Sequence, residues 1–95
     1  MIYHMTCEVA PGKEDAMDAF LIGKVKKFWL SNEGISRVHV FGDHLANKSE
    51  RFITIEVGDY SNFDKILALD ECKGLRTELL TLASNVQSRI MEVIE

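Results

Sequence analysis

Two alternating runs constrain the fold more than any other feature, because they agree about which side is dry. In "RVHVF", Val38 and Val40 alternate with Arg37, His39 and Phe41; in "RFITIEV", Ile53, Ile55 and Val57 alternate with Phe52, Thr54 and Glu56. A period of two marks strands with one apolar face. With "DHLANKSE" as the connection, the runs form a hairpin in which Arg37 pairs with Glu56, His39 with Thr54 and Phe41 with Phe52. That register keeps the valines and isoleucines together, and a slip of one residue would turn one strand inside out. The Arg37–Glu56 pair adds a cross-strand ion pair of roughly 0.2–1 kcal/mol, which is structural help rather than catalysis.

The flanking segments supply the other elements. Ile2 to Val9 alternates Tyr3, Met5, Cys7 and Val9 against Ile2, His4, Thr6 and Glu8, and Pro11-Gly12 ends that strand. From Lys13 to about Leu30, Met17, Phe20, Leu21, Val25 and Phe28 fall at helical spacing, with Glu14 and Asp15 at the end the dipole favours. Lys24 interrupts the stripe and is expected to snorkel from its edge. Ile22 and Trp29 lie to one side, as a flank or a contact with another chain. "SNEG" stops the helix. Ser61 is expected to cap a short helix edged by Phe63, Ile66 and Leu67, with Asp64 three residues on. Asp70 is expected to cap a second segment, Glu71 to about Asn85, carrying Leu75, Leu79 and Leu82, so the second helix is broken near Leu69-Asp70. "VQSRIMEVI" alternates again as a fourth strand.

Composition narrows the class. Residues 1–95 make one domain, short enough that burying a sheet face against a second copy is expected. The net charge is −4, and the eleven basic residues are scattered except for Lys24, Lys26 and Lys27, which argues against nucleic acid. Met1 leads straight into "IYHMTCEV" with no charged leader, and no apolar run approaches the roughly eighteen residues of a membrane span. A soluble, cytoplasmic protein is expected, with no membrane partner. Cys7 and Cys72 suit neither a disulfide framework nor a metal spacing and read as reduced, packed thiols.

The order strand, helix, strand, strand, helix, strand predicts a ferredoxin-like α+β domain: a four-stranded antiparallel sheet, order 4-1-3-2, with helices on one face only. An opening strand ending in "APGKED" before a long helix, "GISRVHVF", "RFITIEV" running through "DYSNFDKIL" into a broken helix, and a final "SRIMEVI" complete the pattern. In these features the whole chain resembles the dimeric α+β barrel superfamily, which includes antibiotic-biosynthesis monooxygenases, NIPSNAP-like and stress-responsive proteins, and haem-degrading monooxygenases. The resemblance implies a homodimer with two sheets face to face, and a ligand pocket between the sheet's open face and its helices or inside the barrel, with no cofactor. It does not extend to haem degradation: that branch carries asparagine on the first strand and tryptophan and histidine later, whereas His4 and Thr6 occupy the first strand here and the only tryptophan is on the first helix.

In such a barrel His4, Thr6, Glu8, Arg37, His39, Phe41, Phe52, Thr54 and Glu56 face the interior, with His4 and His39 on either side of the Thr54 and Glu56 row. Acid–base chemistry suits these residue types. His39 is the expected general base and His4 the reserve, while Arg37, its fork fixed by Glu56, holds an anion or carbonyl. Thr54, Thr6 and Phe41 would complete a ligand-binding surface. The histidines and carboxylate are plausible ligand types for a divalent ion, but no H-x-x-x-H spacing supports one, and His39 and His44, five apart on a strand, point to opposite faces. Two functions remain open. One is a cofactor-independent monooxygenase or isomerase acting on a small cyclic or aromatic molecule. The other is a non-catalytic stress-response or ligand-sensing homodimer whose polar interior groups satisfy one another. A pocket reaching His4 or His39 would favour chemistry.

Overall fold

The computed structural model describes residues 1–43, 45 and 49–95. Four strands, β1 (Ile2–Val9), β2 (Ile35–Gly42), β3 (Glu50–Val57) and β4 (Ala83–Met91), form one antiparallel sheet in the order β2-β3-β1-β4. This is the expected order, and the hairpin register is the expected one, with Arg37 opposite Glu56, His39 opposite Thr54 and Phe41 opposite Phe52. Val38, Ile53, Ile55 and Val57 are all buried on the helix side. His44, in the hairpin connection, lies outside the described residues.

The first helix is a single rod in three parts: α1 (Glu14–Phe20), a π-helical turn (Leu21–Val25) and α2 (Lys26–Leu30). The π turn revises two expectations. Its wider i→i+5 spacing takes in one extra residue and shifts the inward phase by one position. Val25 is in the core as expected, Lys24 is turned away from it, and Trp29 joins Phe28 there. Lys24 is no snorkelling edge residue. It points outward, and its Nζ lies 3.1 Å from both carboxylate oxygens of Glu78. Ile22 stays exposed.

The broken second helix is α3 (Tyr60–Leu67) followed by α4 (Asp70–Leu82). Neither expected cap acts as one. Asp59, one residue before the helix, accepts a 2.8 Å hydrogen bond from the Asn62 amide, while Ser61 is already in the first turn. Asp70 is itself helical behind the extended Leu69, so its carboxylate sits near the positive end of α4 without capping it. The helix also ends earlier than Asn85, and β4 begins earlier than Val86, because Ala83 is extended, buried and paired with Val9. The register of β4 shifts between Thr6 and Glu8, at a bulge where Asn85 takes a left-handed φ of 50° and donates to Glu8 at 3.3 Å.

Met17, Leu21, Phe28, Trp29, Phe63, Ile66 and Leu79 close over the sheet, and the core holds no fully buried polar residue among those described. One ionic tie crosses the layers: Arg51, on the helix side of β3, grips both oxygens of Asp18 at 2.6 and 3.2 Å. Gly34 lets the chain turn into β2. It has φ +86°, and its carbonyl accepts from the Gly58 amide at 2.8 Å. A Cβ there would lie 2.5 Å from Asn62 Nδ2. Gly34→Ala should therefore cost about 1–3 kcal/mol in urea unfolding, from left-handed strain added to the displacement of Asn62. A loss within measurement error would show that the turn relaxes freely.

Candidate functional site

The sheet separates two candidate surfaces. On the open face, pairing across all four strands lines the side chains up in rungs. The central rung runs His39, Thr54, His4, Arg89; beside it lie Phe41, Phe52, Thr6, Gln87 and, on the other side, Arg37, Glu56, Ile2, Met91. His4, Thr6, Arg37, His39, Phe41, Thr54 and Glu56 are thus brought onto one surface, with Thr54 between the two histidines. Arg37 Nε lies 3.5 Å from Glu56 Oε2, but both side chains are well exposed, at 72% and 43%, so the pair is weak. His4 stacks on Phe52, ring centroids 6.3 Å apart, and His39 leans against Phe41 at 5.9 Å. His4 Nδ1 is buried with no hydrogen-bond partner.

Arg89 and Gln87 escaped the sequence reading. Their signal was present in the alternation of the last strand, but their face is decided only by the pairing of β4 with β1. Among the described residues no three His, Cys, Asp or Glu side chains gather as a metal site.

A recess lies on the opposite face. A cavity of about 340 Å³ lies between the sheet and the helices. Its floor is Tyr3, Met5, Ile53, Ile55, Val86 and Ser88, the first helix contributes Val25 and Trp29, and Leu67 of α3 adds to the wall. The α4 helix supplies Cys72, Lys73, Leu75, Arg76, Leu79 and Leu80. An aromatic cluster fixes one end: Tyr3 meets Phe63 edge-on at 5.0 Å, and Trp29 lies 5.9 Å from Tyr3 and 6.0 Å from Phe63. Neither His4 nor His39 lines this cavity. Its apolar lining residues read as core by periodicity, so only the three-dimensional packing shows where the layers fail to close.

Solved structures with the same architecture are abundant. SnoaB from Streptomyces nogalater, described as a cofactor-independent oxygenase, superimposes with a TM-score of 0.83 at 14% identity, covering 99% of this chain and 92% of that one. A Deinococcus radiodurans protein named for antibiotic biosynthesis monooxygenase gives 0.86 at 18% identity, with 99% and 92% covered. A third structure, titled antibiotic biosynthesis monooxygenase, gives 0.79 at 13% identity over the full length of both chains. The chain has the fold of the antibiotic biosynthesis monooxygenases. Comparison of the sequence with protein-family models and with curated proteins gives no match. No helix is long and apolar enough to cross a membrane among the described residues.

Cys72 offers a direct report on the cavity. Burial pushes its thiol above the ordinary value, and the Arg76 charge pulls it part of the way back. Cys7, buried beside the Arg51 carbonyl, is also raised by burial. Both thiols therefore stay protonated over a pH range in which the unfolded chain would ionise them, so the fold loses stability as pH rises through that alkaline range. Since the thiolate is the nucleophile, alkylation of native Cys72 by iodoacetamide should rise at higher pH than alkylation of the same residue in urea, read by mass spectrometry of the labelled peptide. Coincident profiles would mean that the thiol is fully solvated.

Proposed function

We propose that this protein binds a small cyclic or aromatic molecule in the helix-side cavity, and that it acts on it in the manner of a cofactor-independent monooxygenase. The cavity carries the reading. Its volume of about 340 Å³ falls within the roughly 300–1,000 Å³ usual for ligand sites, and its lining is mainly apolar and aromatic with a few polar groups. The neighbour SnoaB, named a cofactor-independent oxygenase, supports the reaction class. A ligand able to ionise to a carbanion or phenolate can react with dioxygen itself, and the protein's part is to hold the ionised form.

Trp29, the only tryptophan of the chain, borders the cavity and reports on occupancy. Titration with 1-hydroxyanthraquinone should quench Trp29 emission saturably, and Val86→Phe, which fills the space from the sheet, should abolish the quenching. Unchanged quenching in the filled variant would place the ligand elsewhere. Oxygen uptake with an ionisable cyclic ketone, absent from protein-free controls, tests the enzymatic half.

For the open face we propose a homodimer contact. His4 Nδ1 lacks a partner, and Phe41 and Met91 remain 49% and 37% exposed in the rungs on either side of the central one, a mixture suited to a second copy that supplies the missing acceptors and donors. The contact should bury more than about 2,000 Å² in total. Sedimentation at micromolar concentration should show a dimer, and a monomer would remove the basis for this reading. On this assignment His39 and His4 belong to the interface rather than to catalysis. His39→Ala should leave Trp29 quenching within about twofold of the parent; loss of turnover by at least ~10²-fold in an intact dimer would restore His39 as the general base.

A further inference from the structure

The charges around the cavity differ from those of the chain as a whole. The protein carries fifteen acidic against eleven basic residues, yet the cavity is lined by two cations, Lys73 and Arg76, and by no carboxylate. These cations are three apart on α4 and so share one helix face. Neither has a carboxylate partner among the described residues, whereas Lys24 is paired with Glu78 and Arg51 with Asp18. Of the three acidic residues of α4, Glu78 is tied to Lys24 and Glu71 lines a separate cleft beside Lys27 and Ser31, while Asp70, in the first turn, does not line the cavity.

We infer that the ligand is an aromatic anion, its rings among Trp29, Tyr3 and Ile55 and its carboxylate, sulfonate or ionised phenol held at the rim by Arg76 and Lys73. The inference rests on the cavity reading above and adds the charge of the occupant. Arg76 can present two parallel donors to a pair of oxygens, and Lys73 supplies a compact point charge beside it. Both side chains are exposed, so binding the anion does not require burying an unpaired charge. The field of Arg76 reaches inward as far as the Cys72 thiol.

Three naphthalene probes separate charge from shape: 2-naphthoate, methyl 2-naphthoate and 2-naphthylmethylammonium, each titrated by calorimetry. The wild type should bind the carboxylate about tenfold more tightly than the ester, the low end of what a hydrogen bond to a charged group contributes, and the ammonium most weakly. The preference should shrink with added salt, because the rim is open to solvent. Lys73→Gln/Arg76→Gln, changing two exposed residues, should bring carboxylate and ester to equal affinity within the same variant. Equal affinity for carboxylate and ester in the wild type, or a preference that survives the double substitution, overturns the inference and leaves the cavity reading standing. If no probe binds, or if Val86→Phe leaves ester binding intact, the cavity reading falls and the inference falls with it.

Discussion

The helix-side burial of β3 is the constraint on which the rest of the structure depends. Ile53, Ile55 and Val57 fix one parity of this strand inward, so Phe52, Thr54 and Glu56 must face outward. Because β3 pairs with β2 on one side and β1 on the other, its parity is transmitted to both neighbours and, through β1, to β4. Every open-face rung follows from that transmission, as does the position of the helices. A one-residue slip of β3 would put Thr54 and Glu56 into the core and Ile53 and Ile55 on the open face, which is why the arrangement is so strongly specified.

Strand parity and helix phase differ in how far the chain discloses them. Strand parity repeats every two residues and survives small errors in strand ends, so the hairpin register and the grouping of His4, Thr54 and His39 were legible. Helix phase is more fragile. A single π turn at Leu21–Val25 moves Lys24 out of the stripe and brings Trp29 inward, and nothing in the local composition announces it. Caps were misplaced by one or two residues because Ser61 and Asp59 are both good capping residues, and the choice depends on where Tyr60 first turns helical. The early start of β4 came from Ala83, a residue with little strand preference that is drawn into the ladder by Val9.

The candidate sites show a further limit. Polar residues at alternate positions are conspicuous in a sequence, and they directed attention to the open face. An apolar cavity has no such signature, since Leu75, Leu79 and Val86 would look the same in a filled core. The two surfaces lie back to back across one sheet, and β1 and β3 serve both, with Tyr3 and Ile55 toward the cavity and His4 and Thr54 toward the open face. Backbone shifts in β1 on ligand binding would therefore be felt on the open face without any side chain crossing the sheet.

The α4 helix is where packing and binding meet. Only Leu79 of its thirteen residues is buried, while Cys72 and Leu75 are partly covered and Leu80 is largely exposed, and all four line the cavity. Wall atoms facing a void lose the dispersion contacts a filled core would provide, and α4 has only Leu79 fully buried to offset that loss. A ligand there would supply the missing neighbours for Leu75, Leu79 and Trp29 together, completing the packing of α4 as it binds. Occupancy would then stabilise the fold by mass action. The Lys24–Glu78 pair, exposed and individually weak, joins the π turn of the first helix to α4 across the top of this layer.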